Sequence, residues 1–170
     1  MEPYKHPLFL KFIVYFNRNQ DYFECHEVLE EYWKSIPNYS KEHPLTAYIL
    51  LATGLYHWRR SNFNGAYRTL LKAERRFLDF PKFHEAFTDG IDYVRLLDNT
   101  NQAVEKVKKA EPFSSFQLSL NSDELNALVD ETAASMHLLP LNSDTVIHKH
   151  MLRDRNDILA EREKKKGRPL

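Results

Sequence analysis

Apolar residues recur at the three- and four-residue spacing of an α-helix through almost all of the first 110 positions, which leaves little room for any other fold class. Leu8, Phe9, Phe12, Ile13 and Phe16 form one face of a first helix. Asp21 and Glu24 have the spacing of a capping box opening a second helix, with Tyr22, Cys25, His26, Leu29 and Trp33 on one side and Ile36-Pro37 at its end. Pro44 suits the first position of a third helix, whose apolar groups occupy every face as far as Trp58, so it is expected at the centre of the fold. Asn62 is expected to cap a fourth helix reaching Leu78, with Ala66, Leu70, Ala73 and Phe77 turned inward and Pro81 closing it. Gly90 then precedes a fifth helix from Ile91 to Lys109, with a stripe of Tyr93, Val94, Leu97, Val104 and Val107.

A weak internal repeat lays Asp21-Tyr22-Phe23-Glu24-Cys25 over Asn62-Phe63-Asn64-Gly65-Ala66, an offset of 41 residues that also brings Leu29 onto Leu70. Each copy has a polar cap, an aromatic and a small residue where two helices would touch. The expected fold is all-α: a five-helix bundle of two stacked helical hairpins plus a closing helix, over residues 1–110. From Pro112 the pattern changes, and Phe116, Leu118 and Leu120 alternate with polar residues in an extended piece. Residues 111–170 are therefore expected to form a mostly helical C-terminal extension. One of its helices is capped by Asn121 and striped by Leu125, Leu128, Val129 and Met136. The other carries Ile147, Met151, Leu152, Ile158 and Leu159 and ends in a frayed basic run, Lys164 to Arg168. Phe116, Leu118 and Leu120 need cover, either from the chain's own core or from a second copy, so a homodimer is one expectation.

Composition removes several function classes. The chain has four glycines in 170 residues, no two close enough for a Gly-rich phosphate loop, so Walker and Rossmann fingerprints are excluded. Twenty-four basic residues balance 24 acidic ones, which leaves no global field to draw the chain to nucleic acid or an anionic membrane. A single cysteine, Cys25, rules out an internal disulfide or a zinc-finger framework. The Leu8–Phe16 run lacks the features of a signal peptide, and the longest uncharged stretch, residues 44–58, is too short for a bilayer. A cytoplasmic protein without membrane attachment is expected.

The stretch from Phe23 to Trp33 carries the chemistry. On a helix His26, Leu29 and Trp33 share a narrow sector, with Glu30 at its edge and one turn from His26. Glu24, Glu27 and Glu31 are expected to point away. A His and a carboxylate held in this way suit metal ligation or proton transfer, while a buried His–Glu hydrogen bond between helices uses the same residues. His57, near the end of an otherwise apolar helix, is the natural third ligand for zinc, iron or manganese. Cys25, Trp33, Tyr56 and Trp58 are expected to support the motif, Cys25 as a core residue whose thiol is disfavoured as a thiolate by Glu24 and Glu27. The zincin pattern would need a second His at Glu30, so a zincin protease is not expected.

These positions resemble a family of small bacterial and archaeal proteins, domain of unknown function 309, marked by a His-x-x-x-Glu-x-x-Trp/Tyr motif that falls here on His26, Glu30 and Trp33. Leu55 to Asn62, with Gly65-Ala66 and Leu70-Leu71, is similar to the family's second block, except that Ser61 stands where Gly is common. The resemblance spans Tyr22 to Leu78. It implies an all-helical bundle with a suspected metal-binding motif and no established activity.

Charge is uneven. Residues 21–34 hold five acids and one base, and residues 59–82 hold seven bases and two acids. The two segments are expected to attract one another or to border one groove. Arg59, Arg60, Arg68, Lys72, Arg75 and Arg76 form a candidate basic binding face, while His148, His150, Arg153 and Arg155 form a second basic cluster in the tail. The leading expectation is a non-catalytic protein-interaction module with a structural His26/Glu30 network. The alternatives are a metal-binding protein, as a hydrolase for example, using His26, Glu30 and His57, and a nucleic-acid binder acting through the Arg59–Arg76 face and the tail, which overall neutrality argues against.

Overall fold

The computed structural model describes residues 3–83 and 87–148. The expected positions His150, Met151, Leu152, Arg153, Arg155, Ile158, Leu159 and the run from Lys164 to Arg168 lie outside the described residues. The fold is all-α. Its helices are α1 (Pro7–Val14), α2 (Tyr22–Lys34), α3 (Leu45–Arg59), α4 (Phe63–Phe83), α5 (Tyr93–Lys108), α6 (Asp123–Ala134) and the short α7 (Asp144–Ile147), and a π-helical turn, Tyr15–Asn19, continues α1. From α1 to α5 each helix packs on the next in the chain, and α6 returns to pack on α1.

Polar side chains begin the helices. Asp21 accepts the Glu24 N–H and Asn62 accepts the Gly65 N–H, so the two copies of the repeat share one capping device. A second repeated device went unread in the sequence: His6-Pro7-Leu8 and His43-Pro44-Leu45 are the same tripeptide. In each, the imidazole Nδ1 accepts the leucine N–H at 3.1 Å, opening α1 and α3. Ser122, rather than Asn121, caps α6, and Pro44 stands just before the first turn of α3.

Two stripes and one helix end differ from expectation. On α2 the buried residues are Tyr22, Cys25, Val28, Leu29 and Tyr32, which leaves His26 and Trp33 at the edge. On α5 they are Leu96, Thr100, Ala103, Val104 and Val107, and Val94 faces outward. The fourth helix does not stop before Pro81 but runs to Phe83. Proline cannot donate to the Phe77 carbonyl, and the Tyr93 hydroxyl of α5 donates to it instead, so the missing bond is replaced from outside the helix.

Tyr48 of α3 is fully buried at the centre, with its ring against Phe9, Phe12, Phe77 and Phe80 and its hydroxyl donating to the Phe87 carbonyl at 2.7 Å. The α3–α4 pair is close because Gly54 has no side chain: a Cβ there would lie 2.6 Å from Leu70. The chain after Pro112 shares this core. Phe113 meets Trp58 and Tyr22, Phe116 meets Phe16, and Leu118, Leu125 and Val129 are buried in the same cluster. Intramolecular packing thus covers the alternating apolar residues.

The α3–α4 turn explains the departure at position 61. The Asn62 N–H donates to the His57 carbonyl and the Ser61 N–H to the Trp58 carbonyl, the paired bonds of a Schellman ending, and Ser61 takes the left-handed conformation at φ 62°. Ser61→Gly is expected to raise unfolding stability by about 1 kcal/mol, because an L side chain is strained there. Urea titration checks this.

His6 supplies a pH test. Burial pulls its pKa below the ordinary histidine value, with Glu31 opposing, and the neutral ring stacks on Tyr32 with centroids 3.8 Å apart. The unfolded chain therefore binds this proton more readily than the folded one, so the contribution of His6 is present above pH 6.5 and is lost as pH falls through that value toward the folded pKa. His6→Asn, which keeps an acceptor that does not titrate, should lose less stability than the parent on acidification from pH 8 to pH 5, read by urea midpoints.

Candidate functional site

The helical spacing of α2 sets His26, Glu27 and Glu30 on one outer turn, where their ligating atoms lie within 4.8 Å of one another. His26 Nε2 is 3.4 Å from Glu30 and Nδ1 is 3.3 Å from Glu27. The expectation that Glu27 points away is thus overturned: its side chain wraps back around the ring edge. His26 and Glu30 sit at the core boundary, their side chains 32% and 31% exposed, and pair along α2 rather than in a buried hydrogen bond between helices; Glu27 is 44% exposed. The reason is that the α2 stripe turns inward through Val28 and Tyr32, each two residues on from His26 and Glu30 and so on the other side of the helix.

Lys34, one turn beyond Glu30, donates to the Glu30 carboxylate. That hydrogen bond, with His26 and Lys34 adding attraction against a smaller burial effect, holds the Glu30 carboxyl below its ordinary range. The arrangement is poor for a metal ion. The two carboxylates flank opposite nitrogens of one imidazole, so as placed they do not present three donors to one point, and the ammonium of Lys34 competes for Glu30. His57 is not part of this group. It sits at the end of α3 with Nδ1 3.3 Å from the Asn62 amide, beside Tyr56.

The supporting residues serve the fold. Trp33 donates from Nε1 to the Ser40 carbonyl at 2.9 Å and meets Tyr39 edge-on, which pins the α2–α3 loop. Trp58 donates to the Glu111 carbonyl, and Tyr56 is buried beneath the Arg60 guanidinium. Cys25 is fully buried. Burial first, then the carboxylates of Asp21 and Glu24 against the opposing pull of Arg59, push its thiol well up; the expected effect of Glu27 is replaced by that of Asp21.

The six residues of the candidate basic face divide. Arg68, Lys72 and Arg75 are exposed along α4, one or nearly one turn apart. Arg76 donates to the Thr46 hydroxyl at 2.7 Å and Arg60 lies over Tyr56. Arg59 turns into the protein. Its guanidinium donates to the carbonyls of Gln20 at 2.6 Å and Val146 at 3.3 Å, and lies over the rings of Tyr22 and Phe113 at 4.8 and 5.9 Å. Burial lowers its pKa, opposed by Tyr22 and the buried Asp21. The expected attraction between the acidic and basic segments is concentrated at this corner.

A family model described as domain of unknown function (DUF309) matches residues 9–69. Over 162 residues, 92% of this chain and 91% of the relative, the sequence is 36% identical to "Uncharacterized protein YpuF" of Bacillus subtilis (strain 168). The chain belongs to the DUF309 family. No solved structure matches it. The DUF309 block runs from α1 into α4 and includes His26, Glu30, Trp33, Arg59 and Ser61, whereas Lys72 and Arg75 lie beyond it. The likeness to the B. subtilis protein extends past the block into the segment that packs α6 against α1. Among the described residues no helix is long and apolar enough to cross a membrane.

Within this DUF309 chain the inward and outward arginines separate experimentally. Arg59→Ala strands two carbonyl acceptors and is expected to lower unfolding stability by about 3 kcal/mol, with Arg59→Lys restoring less than half. Arg68→Ala is expected to change stability by less than about 0.5 kcal/mol in the same urea titration.

Proposed function

We propose that this DUF309 protein is a non-catalytic interaction module that docks an acidic protein surface on α4, with the His26, Glu27, Glu30 and Lys34 group acting as a surface polar network. One observation carries this reading: Arg59, Arg60 and Arg76 engage groups of the fold, while Arg68, Lys72 and Arg75 stay exposed in one row. The row continues to Leu78, which is 56% exposed. Arginine beside an exposed aliphatic group suits a protein interface better than a phosphate backbone, which has no use for the leucine.

Copurification at low salt is the test, with the full chain beside an Arg68→Glu/Lys72→Glu/Arg75→Glu variant. A stoichiometric protein partner retained by the parent and lost by the variant, at unchanged helix content, is the expected outcome. Recovery of nucleic acid with a steep salt dependence would instead favour the nucleic-acid reading. The closeness of His26, Glu27 and Glu30 favours a second reading, a divalent-metal site that forms when Glu27 or the imidazole rotates. Zinc, iron or manganese near stoichiometry, lost in both His26→Ala and Glu30→Gln, would establish it.

A further inference from the structure

A cleft of about 370 Å³ opens on the side of the molecule where the π-helical turn, the extended stretch 117–120 and α6 meet. Its size falls in the range of small-ligand sites, and it involves none of the His26 or α4 residues. The extended stretch forms a single antiparallel bridge, Leu120 with Ile91. On that edge the Asp92 N–H donates to the Ser119 carbonyl and the Asn121 N–H to the Gly90 carbonyl. Backbone groups alternate along an extended chain, so those of Leu118 and Leu120 point to the opposite edge, into the cleft.

The Leu118 position is already answered in peptide fashion. The Asn17 carboxamide accepts the Leu118 N–H at 2.8 Å and donates to the Leu118 carbonyl at 3.0 Å, as a neighbouring strand would. At Leu120, which is half-buried, neither the N–H nor the carbonyl has a partner among the described residues. A ligand that satisfies both must offer an acceptor and a donor at strand spacing, which is what an extended peptide backbone presents. Arg18 and Asp130 stand at the cleft with Arg18 Nη2 2.5 Å from the Asp130 carboxylate. Both are well exposed, so separating them costs little and leaves one cation and one anion for a ligand's ends.

We propose that this cleft binds a short free peptide, whose backbone pairs with Leu120 while its carboxylate meets Arg18 and its ammonium meets Asp130. This goes beyond the α4 reading and does not rest on it.

Trialanine, titrated into the full-length protein with backbone amide shifts as readout, tests the assignment against the same peptide acetylated and N-methylamidated at its ends. Saturable shifts at Leu120, Ser119 and Asn126 are expected at or below about 10 mM, with the capped peptide about tenfold weaker. Arg18→Gln and Asp130→Asn, both at exposed positions, should each weaken trialanine about tenfold without altering amide shifts elsewhere. Absence of saturable shifts with either peptide, or equal binding of the capped form, would overturn the proposal.

Discussion

A guanidinium drawn inward at the end of α3 holds the rest of the structure in place. Arg59 sits where the α1–α2 corner, α3, the 111–113 stretch and α7 converge, and touches all of them through the Gln20 and Val146 carbonyls and the rings of Tyr22 and Phe113. A charge taken from water is tolerated only when its donors find fixed acceptors. Two of those acceptors are backbone carbonyls on different segments, so α3 cannot slide along its neighbours without losing them. The left-handed conformation of Gln20, at φ 54°, follows from the same corner, since the chain reverses between the π-turn and the Asp21 cap and leaves its carbonyl facing Arg59.

Similar satisfaction of single polar groups lets an aromatic core close around irregular helices. The Tyr93 hydroxyl answers the Phe77 carbonyl that Pro81 leaves open, and α4 passes through the proline. The Tyr48 hydroxyl reaches the Phe87 carbonyl from the centre of the core. Imidazoles, which are uncommon caps, start α1 and α3 because His-Pro-Leu places the ring nitrogen two residues before a free N–H. The Asn17 carboxamide does comparable work for the extended stretch. In each case a local sequence would leave a backbone group unpaired, and a distant or neighbouring side chain supplies the bond.

These couplings also explain why the spacing of the motif does not by itself fix the surroundings of its side chains. His26 and Glu30 are one turn apart, and that spacing survives in the fold. Their surroundings do not follow from it, because the buried stripe turns toward Val28 and Tyr32 and leaves both side chains part-exposed at its edge, where Glu27 and Lys34 can join them. Lys34 and Glu27 were visible as neighbours in the sequence; their approach depends on side-chain rotamers that helical spacing alone does not set.

Helical periodicity, the Asp21 and Asn62 caps, the central place of α3 and the family blocks were legible in the chain, because spacing and capping are local properties within one or two turns. The repeated His-Pro-Leu was equally visible and would have located two helix starts. The direction of Arg59, the passage of α4 through Pro81, the return of α6 to α1 and the cleft beside Asn17 were not legible. Each joins residues far apart in the chain: Arg59 meets Val146, Tyr93 meets Phe77, and Asn17 meets Leu118. Local preference decides which segments become helices. Only packing decides which of their polar groups are sealed from water and must find partners elsewhere, and that choice separated the structural arginines from the exposed ones.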